Sequence, residues 1–244
     1  MKERERLISL AIKYGGNYNL MKNAISVREE VEPILYDKAL TIFDDAYPRK
    51  LLDLREPPLV LFYKGDLSLL KKASIGVVGT RTPCDYSKGA TKLLVLKNSN
   101  KVVVSGLSKG IAAVAHKHAR KTIAVLGCGI DYIYPSENKE LFDRIARDGL
   151  IISEYPFMTP PMPANFVFRN RIIAGLSDEL CIMEVKKQSG SLSTINTALE
   201  LGKDIKVLPF DIFKKEGEYN NYLINEGANL VTKDDLLDVN SLCF

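Results

Sequence analysis

From Ser74 onward the chain alternates short β-branched runs with segments of helical period, and this alternation restricts the possible folds more than any other feature. The runs are Ile75 to Val78, Val102 to Val104, Thr122 to Leu126, Leu150 to Ile152, Leu180 to Met183, Ile205 to Leu208 and Leu230 to Val231. Each is continuously apolar instead of alternating, so both of its faces must be covered. That pattern predicts a doubly wound α/β fold, with a mostly parallel Rossmann-like sheet between helical layers. In such sheets ligands sit off the carboxyl ends of the strands. A chain of 244 residues with 46% hydrophobic content can bury one sizeable core and carry a small appendage.

Upstream of Ser74 the pattern changes. Leu7, Leu10, Ala11 and Tyr14 form a helical stripe that Gly15-Gly16 breaks, and Val27 to Tyr36 carries a second amphipathic pattern with Pro33 inside it. Residues 1–38 are therefore expected to form a small helical N-terminal subdomain or cap. The strand-like LTIF and LVLFYKG that follow read as an extension laid against the larger sheet, giving an extended Rossmann-like domain over 39–233. Residues 234–244 read as a C-terminal tail. The net charge of +4 is mildly basic and compatible with an anionic partner without requiring one. Cys84, Cys128, Cys181 and Cys243 lack CxxC pairing, which favours reduced thiols over a disulfide frame or a zinc site. The N-terminus lacks a signal-peptide core and no apolar run is long enough to span a bilayer. The expectation is a cytoplasmic protein with no membrane insertion, no metal and no cofactor.

The candidate site lies in PANFVFRNRIIAGLSDELCIMEVKKQSGSLST, Pro163 to Thr194. A helix starting at Pro163 puts Phe166, Arg169, Asn170 and Ile173 on one side, with Phe168, Arg171 and Ile172 facing elsewhere. Other strand ends add to it. Gly79-Thr80-Arg81 offers a tight turn and a guanidinium for phosphate oxygens. Ser105-Gly106-Leu107-Ser108-Lys109-Gly110 would make a phosphate cradle, yet it has neither the GxxxxGK[ST] nor the GxGxxG spacing, so ATPase or NAD binding is unsupported. Ser189-Gly190-Ser191 opens a further helix and is a phosphate-contact candidate together with Gly79 and Thr80. His116 reads as a helix-packing histidine; the basic cluster from His116 to Lys121 is either a backbone track or a solvated helix end. Glu154 and Glu184, with Asp131 a third, are the strand-end carboxylates that a hydrolase would use as acid and base, or that simply tie down loops.

Taken in order, GTR at Gly79, SGLSKGI at Ser105 with His116 downstream, TIAVLGCGID and YP from Thr122 to Pro135, SEYP at Ser153, F..RNRIIAGLS from Phe166, SGSL.T from Ser189 and N.LI..GA from Asn221 resemble the DNA-processing protein A family (DprA, also called Smf) from about Thr41 to about Thr232. The resemblance implies a non-enzymatic protein of natural transformation that binds incoming single-stranded DNA, protects it and helps load the RecA recombinase, usually as a homodimer. It further implies that Arg81, Ser105, Gly106, Lys109, Phe166, Arg169, Asn170 and Arg171 contact DNA, and that the winged-helix module of many members is absent. Stacking on an aromatic and cationic tracking of phosphates suit sequence-tolerant binding. The sequence departs from the family at Ala112, where an aspartate is usual, at the shorter segment between His116 and Thr122, and at Leu208-Pro209-Phe210. Two other readings stand beside this one. In the first, a nucleotide-binding or N-glycoside-cleaving enzyme holds phosphate at Ser105, Gly106 and Ser189 to Ser191 and uses Glu154 or Glu184. In the second, the chain is an interaction scaffold whose RNR arginines form internal ion pairs.

Overall fold

The computed structural model describes residues 3–237. Nine strands form one sheet in the order β1-β2-β6-β5-β4-β3-β7-β8-β9. The chain-order assignments are β1 Ala39–Thr41, β2 Val60–Gly65, β3 Ser74–Gly79, β4 Val102–Gly106, β5 Thr122–Leu126, β6 Leu150–Ser153, β7 Glu179–Glu184, β8 Asp204–Val207 and β9 Asn229–Leu230. Strands β3 to β9 are mutually parallel, as the continuous apolar runs require. The extension joins differently. β1 and β2 pair antiparallel, and β2 lies antiparallel on β6 with Phe62 opposite Ser153.

Helices cover both faces. The helices are α1 Glu3–Lys13, α2 Tyr18–Ser26, α3 Asp85–Lys97, α4 Ile111–His118, α5 Lys139–Asp148, α6 Pro163–Leu176, α7 Leu192–Glu200, α8 Glu218–Asn225 and α9 Lys233–Leu236. On one face Val104, Val125, Ile152, Ile182 and Val207 pack against Ile172, Ile173, Ala174 and Leu176 of α6, and against Ile195 and Ala198 of α7. The opposite face divides in two. Ile75, Val77, Val103 and Met183 meet α3 and α4, while Ala124, Leu126 and Ile151 meet Leu7, Leu10 and Ala11 of α1 and Phe142 of α5. The alternation of faces along each strand follows the two-residue period of the pleat. Each fully buried aliphatic contributes roughly 1.5–3 kcal/mol by leaving water.

Two local expectations, for Val27 to Tyr36 and for the C-terminal tail, meet a different outcome. Val27 to Tyr36 is not helical: α2 stops at Ser26, Arg28 takes a positive φ of 52°, and the segment runs on without regular structure. Pro33 has no N–H to give and disfavours helical backbone at the residue before it. The segment is strapped across α1 instead, with Tyr14 Oη and Lys13 Nζ donating to the Glu29 carboxylate and Ile34 N donating to Ser9 Oγ. Ser136 opens a 3-10 turn, Ser136–Asn138, and α5 follows from Lys139. The segment read as a tail begins inside α9, where Thr232 and Asp235 form a reciprocal capping box and Lys206 holds the Asp235 carboxylate at 2.6 Å. The rest of that tail from residue 238, including Cys243, lies outside the described residues.

Candidate nucleic-acid interface

Strand order reverses at β3. From β3 the chain winds outward through β4, β5 and β6, then returns along α6 to insert β7 on the other side of β3. The carboxyl ends of β3, β4, β5 and β7 diverge there, which is where open α/β sheets place ligands. A crevice of about 470 Å³ occupies the gap. Its walls come from Gly79, Thr80 and Arg81 after β3, Ser108 after β4, Tyr134 after β5, the first two turns of α6, and Lys186 to Ser191 after β7. A smaller recess adds Lys109, Gly127 and Cys128 to the same floor. Among the described residues no carboxylate lines either space.

Helix α6 supplies the floor. It begins on Pro163, whose missing N–H costs nothing in the first turn. One helical turn later Phe166 lies over the end of β5, where any side chain at Gly127 would meet its ring at 2.6 Å. Tyr134 flanks it with ring centroids 5.4 Å apart. Arg169 follows on the same face, 94% buried, its Cζ 5.9 Å from the Phe166 ring centroid. Its Nη1 donates to the Val125 carbonyl, and its Nε has no partner. Among the described residues no carboxylate pairs with it. Burial pushes its guanidinium down to about 10, so it remains charged at neutral pH. An unpaired cation at the base of a carboxylate-free crevice is a strong attractor for an anion. Gly106 makes this possible: a Cβ there would sit 2.6 Å from Arg169 Nη2.

Of the other expected residues, Arg81 is exposed at the rim with no ion partner among the described residues. Lys109 lines the recess and meets the exposed Glu137. Asn170 Nδ2 donates to Gly190 O and Ser193 Oγ, both at 2.9 Å, and so ties α6 to the Ser189-Gly190-Ser191 turn. Two residues lie away from the crevice. Ser105 is buried and donates to Val77 O at 2.6 Å, stitching β4 to β3. Arg171 is buried on the other side of α6, forking onto Glu154 at 2.6 and 2.7 Å, donating from Nε to Glu56 O, and stacking 3.6 Å over Phe168. The helical period had already turned Arg171 away from Arg169, and an internal ion pair satisfies it.

The strand-end carboxylates are also engaged internally. Burial pushes the Glu154 carboxyl up against the opposing pull of Arg171. Glu184 is buried beneath the start of α3, accepting from Cys84 N at 2.9 Å and Ser87 Oγ at 2.5 Å. Asp131 accepts from Met158 N. His116 is fully buried, bridging Thr122 Oγ1 and Gly106 O, and burial lowers its pKa to about 4. Among the described residues no group of three or more His, Cys, Asp or Glu could hold a metal, and no helix is long and apolar enough to cross a membrane. Among the wall residues that the sequence did not single out are Tyr134, noted only within a Tyr-Pro pair, and Lys186, whose one signal is its place just after the β7 run.

Comparison with known proteins bears on this arrangement. The chain is 42% identical over 199 residues to DNA processing protein DprA of Streptococcus pneumoniae, covering 80% of this chain and 71% of that protein. It is 37% identical over 254 aligned positions to protein Smf of Synechocystis, covering 96% of this chain and 63% of that one. Among solved structures, DprA of Streptococcus pneumoniae superposes with a TM-score of 0.81 at 33% identity, covering 96% of this chain and 95% of that chain. DNA processing protein A of Helicobacter pylori, whose structure addresses its single-stranded DNA binding mode, gives 0.73 at 34% identity over 80% of this chain and 91% of that chain. Residues 38–240, which take in the whole sheet and every wall of the crevice, match one family throughout, and on that ground the chain belongs to the DNA recombination-mediator protein A family, the DprA and Smf proteins.

Proposed function

We propose that this protein binds single-stranded DNA in the crevice at the β3–β7 switch point, without sequence preference and without catalysing a reaction on it. The observation that carries the reading is Arg169: a buried guanidinium, without a carboxylate partner among the described residues, 5.9 Å from the centroid of the half-buried Phe166 ring, so that one site offers a phosphate contact and a stacking face together. Arg81 and Lys186 at the rim extend the positive track. A crevice of about 470 Å³ suits an unpaired nucleotide. The relatives named for DNA processing, and the Helicobacter pylori protein with its single-strand binding mode, support the same ligand. The non-catalytic reading draws on the engagement of Glu154 and Glu184 by internal donors. Protection of incoming DNA, delivery of the strand to RecA, action as a homodimer and a cytoplasmic setting complete the proposal.

The test is fluorescence anisotropy with labelled oligothymidylate against duplex of equal length across a salt series. Tight single-strand binding that weakens steeply with salt is expected. Phe166→Ala should weaken it by about 1–3 kcal/mol for every base composition, and Arg81→Ala should flatten the salt slope by about one. Equal affinity for duplex, or indifference to both substitutions, would overturn the site. Sedimentation at micromolar concentration checks the homodimer.

A further inference from the structure

The first turn of α6 is a ridge with a hollow on each side. Pro161, Pro163 and Phe166 line the crevice, while Met162, Ala164 and Phe168 line a second hollow of about 690 Å³. Val167 borders both and is 52% exposed. The far wall of the second hollow is the segment from Tyr14 to Asn19, which joins α1 to α2. Gly16 brings that segment in: its φ is +74°, and a Cβ there would lie 2.5 Å from the Glu154 carbonyl, so no other residue allows the approach.

The walls are aromatic and fixed in place. Tyr18 and Phe168 hold their rings 6.2 Å apart at 53°, Phe168 is backed by the Arg171 guanidinium, and Tyr14 is anchored through its hydroxyl to Glu29 at 2.7 Å. Among the described residues no charged side chain lines the hollow. Asn19 and Asn165 bring side-chain amides to it with no internal partner among the described residues. Rings and amides without cations suit nucleobases, not phosphates, and rings already held in position reduce the cost of ordering on binding. The hollow begins at the residue where the cationic crevice ends.

Resting on the reading of the crevice as a single-strand site, we infer that this hollow is a second subsite for unpaired nucleobases: a strand leaving the crevice crosses Val167 and lays its bases against Tyr18 and Phe168. The occupant is the same strand, and the N-terminal helices thereby join the DNA-binding surface.

The experiment compares two oligothymidylates, a short one that fills the crevice alone and one several nucleotides longer, on the full chain and on the double variant Asn19→Glu, Met162→Glu. Both substitutions sit at helix starts, where a carboxylate is favourable, so folding is retained and a thermal melt checks it. The wild type should bind the longer strand at least about tenfold more tightly, as one added stacked base would give. In the variant that gain should vanish while short-strand affinity stays within about twofold, since neither substituted residue lines the crevice. A gain that survives in the folded variant overturns the inference, as does photocrosslinking from 5-iodouracil positions of the long strand to Phe166 and Tyr134 only. Loss of self-association with unchanged strand affinity would overturn it in favour of a second copy as occupant. Failure of the wild type to bind either strand would instead refute the reading of the crevice, so the two failures are distinguishable.

Discussion

Two arginines of one motif do opposite jobs here. Arg169 and Arg171 are two positions apart on α6, which turns them roughly 200° around the helix axis; one ends beneath the crevice without an ion partner among the described residues, the other is closed into a bidentate pair with Glu154. Replacing one member of a buried pair leaves the other stranded, so Glu154→Gln should destabilise the fold by about 3–5 kcal/mol in urea titration. The protein that remains folded should keep its single-strand affinity. A variant of unchanged stability, or one that loses binding while fully folded, would contradict this division. The sequence made the division legible through the helical period, which separated Phe166 and Arg169 from Phe168 and Arg171. It could not reveal that Ser105 spends its hydroxyl on Val77 O, because a serine beside a glycine reads the same whether it faces a ligand or a neighbouring strand.

At the scale of elements, the strands of the parallel sheet were readable nearly to the residue, since buried β-branched runs bounded by glycine and polar turns have few alternatives. The N-terminal segment was not. Its apolar residues from Val27 to Tyr36 keep a helical spacing, yet Pro33 and the attachment of Glu29 to α1 outweigh that spacing, and periodicity alone cannot weigh a tertiary tether. The Gly15-Gly16 break had a cause visible only in three dimensions, namely the contact of Gly16 with the 154–155 backbone. Gly16→Ala should therefore cost roughly 1–3 kcal/mol. The loss should appear as faster amide exchange across α1 and α2, with β3, β4 and β7 unchanged. Exchange that accelerates uniformly would place the strain elsewhere.

For the whole molecule, composition and strand pattern gave the architecture, but neighbour relations in the sheet depend on contacts far apart in the chain. Nothing in the run Glu179 to Glu184 says that it lies beside Val77 and Val78, or that β2 runs antiparallel to β6. That placement of β7 has a consequence for the protein while it is being made. Strand β3 is synthesised long before the strand that covers its second edge, and one wall of the crevice, Lys186 to Ser191, arrives only with the turn after β7. A chain ended after Leu176 is expected to expose Ile75 and Val77 to protease and to give no anisotropy change with oligothymidylate. Binding by such a truncated chain would refute this. On that expectation, a copy still on the ribosome competes for no strand until the turn after β7 has been made.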